Sequence, residues 1–152
     1  MIEDALRALL IAPGSATEAM IGSRVYPLRL PQPGDNQASP RPAITYRVVS
    51  APRDYAHAGQ SRLLRARIQL DLHAETYGDA QRLRTAIVGT RAVPGVLSGR
   101  KAVVELEGVE HEVHIRRIFV TMERDVGESD DGSAAASPFG KSLDLGVWFW
   151  ET

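Results

Sequence analysis

From Leu64 to His73 the chain alternates without a fault. Leu64, Ala66, Ile68, Leu70 and Leu72 are apolar, and Arg65, Arg67, Gln69, Asp71 and His73 are polar. A period of two is the mark of a strand with one face in a core and the other in water or against a partner. Glu75 and Thr76 break the pattern. Thr76 with Asp79 three residues on predicts a helix start, with Asp standing where a capping box has Glu or Gln. Ala80, Leu83 and Ile87 then follow at helical spacing, with Arg82 and Arg84 off that stripe. A long strand feeding an amphipathic helix is the expected centre of the fold.

The flanking segments read in the same way. Ile2, Ala5, Leu6, Leu9 and Leu10 make one apolar stripe of a first helix, with Glu3 and Asp4 in the turn where the helix dipole favours acids. Pro13-Gly14 ends it, and Ser15 with Glu18 caps a second, short helix closed by Gly22. Arg24 to Pro27 predicts a short strand, and 30–42, with four prolines, a loop. Ala43 to Ser50 is a strand with Ile44, Tyr46 and Val48 on one side and Thr45, Arg47 and Val49 on the other. If it pairs antiparallel with the central strand, Arg47 comes near Arg65 and Arg67. Arg53 to Ser61 is expected to be an exposed connection. Ala102–Glu107 and Glu112–Val120 predict a hairpin, with a bulge where the register switches at Arg116-Arg117. The stretch 124–140 carries acids followed by Gly, Ser and Ala and is expected to be a mobile loop. Ser142 to Trp150 is the last strand, with Leu143, Leu145, Val147 and Phe149 inward and Asp144, Gly146, Trp148 and Trp150 outward. The whole of 1–152 reads as a single α+β domain: a mainly antiparallel sheet with helices packed on one face.

Composition narrows the function. The net charge of −1 gives no global attraction to nucleic acid or an anionic membrane, and zero cysteines rule out disulfides and thiolate chemistry. No apolar run approaches the roughly 20 residues of a membrane span. Glu3 and Asp4 stand where a signal peptide wants positive charge, which predicts a protein made in the cytoplasm. His111 and His114 are spaced so that a strand turns them to opposite faces, away from a shared metal. Asp71 and His73 share a face and carry the elements of acid–base chemistry, but no nucleophile accompanies them. No glycine pattern fits a phosphate loop. The expectation is therefore no catalytic residue, no metal and no cofactor. The paired tryptophans Trp148 and Trp150 read as an exposed patch of the kind enriched at interfaces, and the row Arg65, Arg67, Gln69, Asp71 and His73 as a second interface candidate.

The order of several segments resembles a known family. Met1–Leu10, Gly22-Ser23-Arg24-Val25-Tyr26-Pro27-Leu28, Pro42-Ala43-Ile44-Thr45-Tyr46, Ala66-Arg67-Ile68-Gln69-Leu70-Asp71 with Glu75-Thr76-Tyr77, and Asp144-Leu145-Gly146-Val147-Trp148 are similar to the tail-completion, or tail-terminator, proteins of long-tailed bacteriophages and prophages. The resemblance implies a structural protein of the virion tail, made in the bacterial host. It implies a homo-oligomer, a hexameric ring on the end of the tail tube. That ring stops tube polymerisation and offers a surface for the head–tail connector protein, with DNA only as passing cargo. The acidic insertion at 125–137 is longer than the turn such a protein needs. Two other readings stand beside it: a head–tail connector or neck subunit, and a small hydrolase using Asp71 and His73.

Overall fold

The computed structural model describes residues 1–31, 40–106, 108, 111–126 and 139–152. The centres of the two expected loops, 32–39 and 127–138, lie outside the described residues, as does most of the acidic insertion. Among the described residues, three helices, α1 (Ile2–Leu10), α2 (Ala16–Ile21) and α3 (Tyr77–Val88), accompany eight strands. These are β1 (Val25–Pro27), β2 (Ala43–Ser50), β3 (Tyr55–Ala56), β4 (Gly59–Gln60), β5 (Leu64–Ala74), β6 (Ala102–Glu105), β7 (Glu112–Val126) and β8 (Phe139–Glu151).

Six strands form one sheet in the order β1-β2-β5-β8-β7-β6, and β3 with β4 makes a separate two-stranded ribbon. All main-sheet pairs are antiparallel except β1 with β2. The expected α+β architecture is therefore the observed one, with one parallel edge. The alternation of β5 sets the two faces. Its apolar side lines up across neighbours: Leu70 lies between Tyr46 and Leu143, and Ile68 between Val48 and Leu145. The next row, Ala66, Val147 and Ile118, continues the apolar face onto β7.

The helices cover that face. Ile2, Ala5, Leu6, Leu9 and Leu10 of α1 are all buried, as are Ala80, Leu83 and Ile87 of α3, so each predicted stripe is the packed one. Complete burial of a side chain such as Leu83 stabilises the fold by about 1.5–3 kcal/mol. The caps form as the sequence indicates. Ser15 Oγ accepts the Glu18 N–H at 3.1 Å, and Thr76 Oγ1 accepts the Asp79 N–H at 3.1 Å. Arg84 of α3 reaches β7 and grips Glu123, with Nη2 2.7 Å from Oε1.

Two features depart from expectation. The predicted loop 124–140 is shorter at both ends, because β7 continues through Val126 and β8 already begins at Phe139. Pairing with β8 holds these residues extended, with Asp125 opposite Lys141 and their side chains joined at 2.6 Å. The connection 53–61 is exposed as expected, but it folds into the β3–β4 ribbon. The predicted bulge does occur between Ile115 and Arg117, and a second follows between Val120 and Met122.

After α3 the chain doubles back on itself. The N–H groups of Val96 and Leu97 donate to the carbonyls of Ala86 and Ile87 at 2.9 and 3.0 Å, satisfying helix-end acceptors. This requires Gly89 and Gly95 to touch backbone to backbone. A Cβ on Gly95 would collide with the main chain of Ile87, Val88 and Gly89. Gly95→Ala should therefore destabilise the protein by about 2 kcal/mol or more in urea unfolding. Gly78→Ala, in the first turn of α3 with only Thr76 Oγ1 nearby at 4.0 Å, should stabilise it by about 0.5–1 kcal/mol.

Candidate functional site

No helix among the described residues covers the opposite sheet face. That face is built from the outward residues of β2, β5, β8 and β7. Register places Arg47, Gln69, Asp144 and Met122 in one row, and Arg67, Gly146 and Phe119 in the next. Arg65, Trp148 and Arg117 form a third, and Trp150 with His114 a fourth. Arg47 thus faces Gln69, two residues from Arg67.

Charge on this face is organised by short contacts. Arg47 Nη2 donates to Gln69 Oε1 at 2.8 Å, and Gln69 Nε2 donates to Asp71 Oδ1 at 2.8 Å. Arg67 Nη2 donates to Asp144 Oδ2 at 2.7 Å. Asp144 is only 3% exposed, so the arginine above it supplies the charge that burial would otherwise leave uncompensated. Arg65 lies over the Trp148 ring at 5.3 Å and also meets Asp54 at 3.2 Å. Arg117 lies over Phe119 at 5.4 Å. His114 stacks on Trp150 with centroids 5.0 Å apart and planes 6° from parallel.

These contacts correct two expectations. Trp148 and Trp150 are half-buried rather than an exposed pair, because Arg65 and His114 from neighbouring strands cover part of each ring. The polar row of β5 is not uniformly open either. Arg65 and Arg67 are exposed, Asp71 and His73 half-buried, and Gln69 is buried at 7%, held between Arg47 and Asp71. The exposed apolar surface comes instead from β7, where Phe119 and Met122 are 44% and 53% exposed. Ending the strand at Val120 hid Met122 and Arg124 from the sequence reading. The second bulge, at Thr121, leaves no signature in residue type.

Asp71 and His73 both have hydrogen-bond partners within the chain. His73 Nε2 lies 3.0 Å from Thr45 Oγ1, and that hydroxyl is closed to a substrate because Thr45 is buried. The Asp71 carboxylate is engaged by Gln69. Burial pushes the His73 imidazole below its usual value of 6.5; the Asp71 charge opposes this and Arg41 adds to it. His111 Nδ1 sits 2.8 Å from the Thr152 carbonyl, while His114 is stacked on Trp150, so the two rings are engaged separately. Among the described residues, no group of three or more His, Asp or Glu is placed to hold a metal. No helix among them is long and apolar enough to cross a membrane.

Two outcomes follow for stability. Arg67→Ala should destabilise by about 1–3 kcal/mol, because it strands the buried Asp144 carboxylate. The double change Arg67→Met with Asp144→Leu should cost less than the sum of its single changes, as read from a denaturation cycle. For His73, the folded state holds its proton less tightly than the unfolded one. The contribution is therefore fully present above the unfolded value of about 6.5, and it is lost as pH falls below that value and through the lower, folded one. His73→Gln should flatten the urea midpoint against pH on the acid side of the unfolded histidine value of about 6.5.

A family model described as "Tail completion protein gp17" matches residues 4–132 of the 152-residue chain. No curated protein matches it. The family match runs from α1 through β7, so it takes in every helix and all strands of the sheet but β8. On that evidence the chain belongs to the phage tail-completion protein family described as gp17.

Proposed function

We propose that this chain is the terminator of a phage tail: copies assemble as a ring, a hexamer, on the end of the tail tube. The ring stops addition of tube protein and presents the surface to which the head connector attaches. DNA crosses it only as cargo, and no bond is made or broken. The observation that carries this reading, within a structural family, is the helix-free sheet face with its arginines held over aromatic rings. Arg, Trp and Phe at the centre of a partly buried surface are the residue types that dominate protein–protein contacts.

On this reading Trp148, Trp150, Arg65 and Arg67 meet a neighbouring subunit or the tube. Gln69 lies beneath them, holding Arg47 and donating to Asp71, with His73 beside Thr45 at the end of the same row. Salt bridges at such a surface set orientation and approach more than affinity. Stacking Arg65 on Trp148 limits the freedom the guanidinium would lose on binding.

Adding the purified protein to polymerising tail-tube protein should shorten the tubes and leave a ring on one end, seen by negative-stain microscopy. Tubes of unchanged length would overturn the terminator reading; protein found only on the head-side connector would instead favour a neck subunit. Trp148→Ala with Trp150→Ala should reduce capped tubes about 10-fold or more while the chain stays folded by circular dichroism. Full capping by that double variant would remove both tryptophans from the interface.

A further inference from the structure

The long hairpin β7–β8 is only partly enclosed. On its outer side β7 is paired by β6 through Glu112–Ile115. Gly99 N–H then donates to the Ile118 carbonyl at 2.9 Å. Beyond Ile118, no described residue makes a backbone hydrogen bond to the outer edge of β7, although the strand continues to Val126 and Arg84 holds the Glu123 side chain. An extended edge with unpaired N–H and C=O groups is a template for another strand. This one is flanked by the exposed side chains of Phe119 and Met122. Lysine and proline are absent from Phe119 to Val126; the protections this edge carries are the bulge at Thr121 and the charged run Glu123 to Asp125.

The chain also carries an unpartnered strand donor. Every residue from Arg47 to Gln60 is exposed, and the β3–β4 ribbon within that stretch has two residues in each strand. So short a ribbon has little stability of its own in water. Its attachments are the Asp54–Arg65 ion pair and the Ser61 N–H to the Asp54 carbonyl at 2.8 Å. Tyr55 in β3 is 72% exposed, a large aromatic group with no core to enter. The ribbon leaves the sheet between β2 and β5, whereas β7 lies two strands beyond β5. Donor and acceptor are therefore different patches, the condition for a head-to-tail contact that closes into a ring.

We propose that the β3–β4 ribbon of one copy adds to the open edge of β7 in the next copy, with Tyr55 seated against Phe119 and Met122. Arg53 and His57 flank Tyr55, and Glu123 and Asp125 alternate along the acceptor, with Arg124 between them. Arg84 and Lys141 already engage these two acids, so the apolar seat and the backbone bonds supply most of the affinity. The proposal rests on the ring reading and specifies which surfaces make the ring.

The absence of cysteine makes the test direct. Tyr55→Cys and Met122→Cys are prepared as separate full-length proteins, mixed at concentrations where light scattering reports oligomers, or on tail tubes, and oxidised. A disulfide-linked heterodimer is expected, and the doubly substituted chain should give a ladder ending at the ring size. Val93→Cys, exposed on another surface, should not replace Met122→Cys in that reaction. In the unmodified protein, hydrogen exchange at 119–126 should slow on oligomerisation, and Tyr55→Ala should weaken association about 10-fold or more. Oligomers with neither the cross-link nor the protection overturn the edge assignment and leave the ring. Protection without the cross-link overturns the ribbon as the occupant. A chain that stays monomeric at every concentration and on tubes, with neither signal, removes the ring itself.

Discussion

Burial of one face of β5 is the constraint on which the rest of the structure depends. Ala66, Ile68, Leu70 and Leu72 leave water only if β2 and β8 lie alongside in register and α3 lies on top. A slip of one residue would turn Arg67 and Asp71 into the core. That requirement fixes the neighbours, and their polar residues then converge on the far face without further specification. Arg47, Gln69 and Asp71 form a chain of hydrogen bonds because Ile44, Ile68 and Leu70 are inward on the same strands. The interface candidate is thus a by-product of core packing, made rigid by it.

The elements legible in the sequence are those whose signal is local. The stripe of α1, the Ser15 and Thr76 caps, the alternation of β5 and the bulge at Arg116-Arg117 each follow from a few adjacent residues. The elements missed depend on distant partners. Residues 124–126 read as acidic loop, yet β8 across the hairpin keeps them extended, with Asp125 held by Lys141. The burial of Gln69 was likewise invisible, since it needs Arg47 from another strand to lie over it. Trp148 and Trp150 were placed on the correct face. Their partial cover comes from Arg65 on β5 and His114 on β7, a relation fixed by register across three strands.

On the same face the Asp–His pair of β5 is engaged by hydrogen-bond partners within the chain. Catalytic groups need spare hydrogen-bonding capacity and a path for substrate. Here Asp71 is engaged by Gln69 and His73 lies beside the buried Thr45, while farther along the same face arginines lie over aromatic rings. Such a surface has charge, planar area and restricted side chains, which suit recognition of another protein.

A subunit meant to be added late to an assembly must be stable alone and incomplete at its edges. The helix-covered side meets the first need, with α1 and α3 sealing one continuous core. The second shows in the residues that the core does not use. A core can be completed within a chain of this length, but an edge of β7 beyond β6 and an exposed ribbon add nothing to it. In isolation they expose apolar surface and unsatisfied backbone, which favours aggregation. On the proposed contact a neighbouring copy would meet both, and lengthening β6 by a few residues would close the edge to any second strand.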